Sequence, residues 1–171
     1  CKMVDTFLEK GFTYFDTAHP YIKGKSEPAI REALVKRYPR ESFVLADKLS
    51  SSTFEKEEDI RPVFETMLEA CGVEYFDYFL MHAQSRNNYP KYCECNAYEI
   101  GAELKAEGKI KHLGMSFHDS AEYLEKILTE KPMVEFVQLQ FNYADYNDDE
   151  VQAKKCLEVC RKFGKPVIVM E

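Results

Sequence analysis

No apolar run in this 171-residue chain approaches the ~20 residues that a membrane-crossing helix needs, so none is expected. Positive charge is not in excess: 23 Lys and Arg stand against 30 Asp and Glu, a formal net charge of −7. Nucleic acid and anionic membrane surfaces select basic patches, so neither is expected as a partner. The opening residues do not read as a secretory leader, so none is expected. It begins Cys1-Lys2-Met3-Val4-Asp5, which reads as the interior of a helix, and a fragment of a longer polypeptide is expected. Six cysteines without a leader point to a reducing compartment, the cytoplasm. Cys93-Glu94-Cys95 lacks the spacing of a zinc or iron–sulfur site, and Cys156 and Cys160 sit four apart on the apolar side of a helical pattern, so no metal site is expected. A Gly-rich phosphate turn after the first strand is also missing, which argues against a Rossmann unit.

What is present is a rhythm. Short apolar runs begin near residues 12, 43, 75, 110, 134 and 167, and one helical pattern separates each from the next. The runs are apolar on both faces, as buried parallel strands are. Predicted strands are Phe12–Asp16, Phe43–Lys48, Tyr75–His82, Ile110–Ser116, Val134–Gln140 and Val167–Met170. A helix over Lys2–Lys10 carries Met3, Phe7 and Leu8 on one face and stops at Gly11. Ser26 is predicted to cap a helix whose inward stripe includes Ile30, Ala33, Leu34 and Tyr38. Ile60, Val63, Phe64, Met67, Leu68 and Cys71 give the cleanest helical spacing, with Pro62 in the first turn and Gly72 at the end. Residues 85–96 read as a polar loop, residues 97–107 as a helix. Ser120 caps the next helix, and Asp148 and Asp149 head the last one, which Gly164 ends.

A βα alternation of this kind predicts an α/β fold with a parallel sheet and helices outside. Polar residues ending successive strands favour a closed (β/α)₈ TIM-type barrel over an open sheet, because barrel sites are assembled from many strand ends on one face. About six of the eight βα units are present, so the expectation over residues 1–171 is an incomplete barrel.

The strand ends carry Asp16, Lys48 and His82, and Tyr21 sits on the loop behind Asp16. A phenol is a poor proton donor at its ordinary pKa near ~10. An ammonium about 4 Å away favours the phenolate by roughly 4 kcal/mol at an effective dielectric near 20, with desolvation opposing it. Tyr21 is therefore the expected general acid, Lys48 its tuning charge, Asp16 the group that holds Lys48, and His82 the donor that orients a carbonyl oxygen. Such a set suits carbonyl reduction, with a hydride arriving from a cofactor as Tyr21 delivers a proton.

These residues resemble the aldo/keto reductase superfamily. Phe15-Asp16-Thr17-Ala18, Tyr21, Gly24, Ser26 and Glu27 follow its opening signature; Leu45-Ala46-Asp47-Lys48 resembles its lysine strand and Phe76–His82 its histidine strand. Gly114-Met115-Ser116 and Val137–Tyr143 resemble its nicotinamide-carboxamide strands. The resemblance implies a (β/α)₈ barrel, NADPH (less often NADH), a small-molecule carbonyl substrate, the tetrad Asp16, Tyr21, Lys48 and His82, and cofactor-amide contacts at Ser116 and Gln138. Phe117-His118-Asp119 resembles the branch with a C-terminal ferredoxin-like extension, so an iron–sulfur cluster is expected only if such an extension exists. Against the family pattern, the first strand and the C-terminal cofactor-binding part are missing. A nicotinamide-stacking residue would fall near Met170 or Glu171 and is not assigned.

Each site residue also has a plainer reading: Asp16 as a turn cap, Lys48 as a solvated strand end, His82 as a core histidine, Ser116 and Gln138 as partners for backbone groups in the barrel mouth. Ser26 and Glu27 are read as structural, and His19, His112 and His118 as surface or supporting residues. The alternatives to an enzyme are a non-catalytic cofactor-sensing subunit on the same barrel and a truncated, inactive fragment. The 171 residues alone are expected not to be a working reductase, because two strand edges lack neighbours and would pair with another copy or aggregate. Oligomeric state is left open.

Overall fold

The computed structural model describes residues 1–170; Glu171, one of the two positions at which a nicotinamide-stacking residue would fall, lies outside them. Every predicted apolar run forms a strand. They are β1 (Tyr14–Asp16), β2 (Val44–Leu49), β3 (Phe76–Gln84), β4 (Ile110–Phe117), β5 (Phe136–Gln140) and β6 (Val167–Met170). All neighbours are parallel, in the order β1-β2-β3-β4-β5-β6. The helices are α1 (Lys2–Glu9), α2 (Ser26–Ile30, running into a π-helical turn at Arg31–Val35), α3 (Glu57–Cys71), α4 (Tyr89–Glu94), α5 (Ala97–Ala106), α6 (Ala121–Glu130) and α7 (Ala153–Lys162). The sheet curls into a half-barrel with the helices on its outer side, an incomplete (β/α)₈ barrel.

Side chains alternate across a strand, so the sheet has two cores. The outer one, between sheet and helices, holds Leu45, Phe64, Met67, Phe76, Phe79, Leu113 and their neighbours. The inner one is small: Ala46, Leu80 and Phe136, flanked by Tyr14, Tyr78 and Ile168. Gly114 belongs to this inner face. A Cβ there would lie 2.4 Å from the Phe136 ring, so only glycine lets β4 carry that ring beside it.

Several local expectations are corrected. Ser26 is the first residue of α2 rather than its cap, and its Oγ instead accepts a hydrogen bond from Thr17 Oγ1 at 2.7 Å. Pro62 lies in the second turn of α3, because that helix starts at Glu57: the Asp59 carboxylate accepts from the amides of Glu55 and Lys56 and nucleates the helix earlier than the apolar spacing shows. Residues 85–96 are not all loop. They contain α4, since Tyr89 and Tyr92 bury their rings against the outer core, and tyrosine reads as polar only at its tip. Asp148 does not head α7; its carboxylate accepts from the amides of Glu150 and Val151 in a preceding turn, and the helix begins at Ala153. Met3 and Phe12 are exposed, and with Phe7, stacked on Phe12 at 5.1 Å, they form an apolar patch beside the β1 edge. Ser120 caps α6 as expected, and Gly72 ends α3 with φ +73°.

Candidate active site

Period-two alternation from the inner core carries Asp16, Lys48, His82, Ser116 and Gln138 onto the inner face at the C-terminal ends of five successive strands. Lys48 is 1% exposed. A buried ammonium needs compensation, and it has three oxygens: a short ion pair to Asp16, the Thr17 carbonyl at 3.0 Å and the Tyr21 hydroxyl at 3.4 Å.

Tyr21 arrives on the loop between β1 and α2. Its amide donates to the Ala18 carbonyl, while its own carbonyl accepts from the amides of Gly24 and Ser26. Ile22 and Lys23 both take positive φ, +53° and +57°, a conformation that a β-branched residue adopts only under constraint. The tight turn leaves the Tyr21 side chain 38% exposed, with its hydroxyl also 3.4 Å from His82 Nε2. The phenol oxygen thus stands between an ammonium and an imidazole on a partly exposed residue.

Burial, followed by the nearby Lys48 charge, pushes the His82 pKa down to about 4. Its other nitrogen, Nδ1, meets Ser50 Oγ at 2.5 Å. Tyr92 places its hydroxyl between the carbonyls of Leu49, at 2.7 Å, and His82, at 3.1 Å, tying the ends of β2 and β3 together. Next to His82, Ala83 has φ +52°, and its amide donates to Ser116 Oγ at 2.7 Å. Ser116 therefore does what its plainer reading proposed, satisfying a backbone group in the barrel mouth. Gln138 Nε2 donates to Asp16 Oδ2 at 3.0 Å, and its Oε1 is buried without a hydrogen-bond partner among the described residues.

All four expected tetrad residues are thus brought together, and both expected amide-contact residues lie on the same face. Sequence reasoning missed Ser50 and Tyr92. A signal for Ser50 existed: two positions after Lys48 it must share the lysine's face. Nothing in the pattern of residues 85–96 marked Tyr92.

Glu27, read as a structural first-turn acid, is buried on the outer side of β2, where its carboxylate meets His19 Nδ1 at 2.8 Å. Glu27, Asp47 and Cys71 offer ligand-type atoms within 4.8 Å of one another. The group is satisfied without a cation: Asp47 accepts from the Lys48 amide at 2.8 Å and from Cys71 Sγ at 3.6 Å.

A model of the aldo/keto reductase family matches residues 1–171. Among curated proteins, the chain is 29% identical over 184 residues to the NADH-specific methylglyoxal reductase of Escherichia coli strain K12, covering 94% of this chain and 53% of that protein. It is 30% identical over 171 residues to aldo-keto reductase str7 of Strobilurus tenacellus, covering 98% of this chain and 48% of the other. An aldo-keto reductase from Klebsiella pneumoniae, solved in complex with NADPH, shares the fold with a TM-score of 0.76 at 23% identity, over 97% of this chain and 55% of that one. The chain spans about half the length of the curated relatives it matches. With a family match from end to end and a shared fold, the chain belongs to the aldo/keto reductase family.

Proposed function

We propose that residues 1–171 form the part of an NAD(P)H-dependent reductase barrel that holds its acid–base machinery and reduces the carbonyl of a small aldehyde or ketone to an alcohol. The observation that carries this reading is the Tyr21 hydroxyl, 3.4 Å from both Lys48 Nζ and His82 Nε2, on a residue that is 38% exposed. A carbonyl oxygen placed beside that hydroxyl accepts the Tyr21 proton while its carbon takes up a hydride. The Lys48 ammonium favours the negative charge left on the phenol oxygen. Asp16 holds that ammonium in place, with Gln138 and Tyr14 donating to its second oxygen. His82, held neutral, offers an Nε2 proton to orient the carbonyl.

A reduced nicotinamide supplies the hydride when bound. Two groups fit its carboxamide. The unpartnered Oε1 of Gln138 accepts an amide N–H, and Ser116, whose oxygen already accepts from Ala83, retains a hydroxyl proton to donate. NADPH is the proposed cofactor, with NADH as the alternative; the Escherichia coli relative is named as NADH-specific and the Klebsiella structure holds NADPH. The former relative's name also makes small reactive 2-oxoaldehydes reasonable first substrates to assay. A cytoplasmic setting is supported by six cysteines that are all free; no helix among the described residues is long and apolar enough to cross a membrane.

The cofactor-sensing alternative has one observation in its favour, the apolar patch of Met3, Phe7 and Phe12. The assembled tetrad favours the enzyme. In the natural polypeptide, Tyr21→Phe should lower kcat at least about 10²-fold with cofactor affinity little changed, as removal of a general acid does. Near-normal turnover in that variant would dispose of the assignment.

A further inference from the structure

The mechanism uses one edge of the His82 imidazole. The other edge is also engaged: Ser50 Oγ lies 2.5 Å from Nδ1, and Ser50 is 6% exposed. A neutral imidazole carries its proton on one nitrogen only, so the partner of Nδ1 decides what Nε2 can do. We propose that Ser50 is a positioning residue, which donates its hydroxyl proton to Nδ1 of His82 and so keeps the imidazole proton on Nε2, facing Tyr21 and the carbonyl. The inference rests on the carbonyl-reductase reading and adds to it a residue that acts only through His82.

Two arguments fix the direction of the hydrogen bond. The first is the serine itself. Its hydroxyl has no hydrogen-bond partner besides Nδ1 among the described residues. If Nδ1 carried the proton, the serine would accept it and leave its own proton without an acceptor in a nearly dry site. Donation from Ser50 satisfies both groups.

The second argument is the tyrosine. With a proton on Nε2 and before a carbonyl enters, the Tyr21 oxygen receives donors from both His82 and Lys48, and its own proton is left to point outward. With Nε2 bare, the Tyr21 proton would be drawn to the imidazole and away from the position a carbonyl oxygen must take. The Ser50 bond thus aims the Tyr21 proton at one remove. The backbone around His82 leaves little freedom to compensate, because its carbonyl is within reach of Tyr92 and Gln84 and the next amide is held by Ser116. Depression of the His82 pKa to about 4 keeps the ring neutral at physiological pH, where a choice between tautomers exists.

The test is ¹⁵N NMR of histidine-labelled protein at pH 7, with His82→Gln to assign the ring among the four histidines. Wild type should show an unprotonated, hydrogen-bond-accepting Nδ1 and a protonated Nε2. Ser50→Ala should shift His82 to a mixture of tautomers, and Ser50→Thr, which keeps the hydroxyl, should restore it. In turnover, Ser50→Ala should lower kcat about tenfold, or about 1.4 kcal/mol, with the KM for reduced nicotinamide unchanged and with recovery in Ser50→Thr. A protonated Nδ1 in the wild type overturns the proposal without recourse to any variant. So does a Ser50→Ala protein whose His82 tautomer is unmoved. Normal turnover in Tyr21→Phe, with the tautomer as expected, would instead overturn the reductase reading and leave the Ser50 bond standing.

Discussion

Asp47 and Lys48 are consecutive residues of β2, both buried, and they solve the same problem in opposite ways. Lys48 points into the half-barrel, where Asp16 and two further oxygens compensate its charge. Asp47 points outward beneath α2 and α3, where the groups facing it are Glu27 and Cys71, and among the described residues no ammonium or guanidinium reaches it. Burial, and then the Glu27 charge, push the Asp47 carboxyl well above its ordinary range. Asp77, at the opposite end of the sheet, shows that burial alone does not decide this. Desolvation works against its charge too, yet Lys111 at 2.7 Å, Arg40 at 2.6 Å and the Leu45 amide hold its carboxyl below the ordinary value. Of these two buried acids, the one that cations reach is held below its ordinary value and the one they do not reach is pushed above it. The inner face thus keeps an ion pair beside Tyr21, while on the outer face burial and the neighbouring acid work against ionisation of Asp47.

The largest effect should come from breaking the inner pair. Asp16→Asn leaves an ammonium that is 1% exposed without its counter-ion, which should cost about 3–5 kcal/mol in urea unfolding. Lys48→Met should cost less, about 2 kcal/mol, because the Asp16 side chain is 27% exposed and can turn to water. Equal losses from the two substitutions would contradict the asymmetry.

A smaller, pH-dependent effect sharpens the outer half of the comparison. A carboxyl whose folded pKa is raised stabilises the fold fully below its unfolded pKa, near ~3.9, and loses that stability as pH rises towards the folded value. Wild type should therefore weaken with rising pH across that window by up to about 1.4 kcal/mol per pH unit from this group. Asp47→Asn, which stays neutral, should match wild type at the acid end and exceed it at the alkaline end. Parallel stability curves for the two proteins would refute the raised Asp47 pKa.

A second pH-dependent effect belongs to His82. Its folded pKa is depressed to about 4, so its contribution is present above the unfolded value near ~6.5 and is lost as pH falls between the two. His82→Gln should flatten the stability curve in that interval alone. An imidazole titration midpoint above about 6 would show that Lys48 and burial do not act on the ring as described.

The residues that announced the site were those whose chemistry was out of keeping with their setting. Asp16, Lys48 and His82 end apolar strands, and a polar residue at a barrel strand end is visible in one dimension. Ser26, Pro62 and α4 were misread because each depended on something periodicity does not carry. Thr17 claims the Ser26 hydroxyl, Asp59 starts α3 early, and the Tyr89 and Tyr92 rings find a core that earlier and later strands build. Glu27 looked like an ordinary first-turn acid until α2 packed its carboxylate beside Asp47.

The sequence by itself determined the parallel βα order and the family, because both are written in the rhythm of apolar runs and in motif spacing. Only the tertiary structure decided which polar groups meet. The Tyr21–His82 contact joins residues 61 apart and the Gln138–Asp16 contact residues 122 apart. Ser50 reaches the imidazole, and Asp47 reaches an acid instead of a base, because strand register and helix docking set those pairs. Register is a relation between segments, and no single segment contains it.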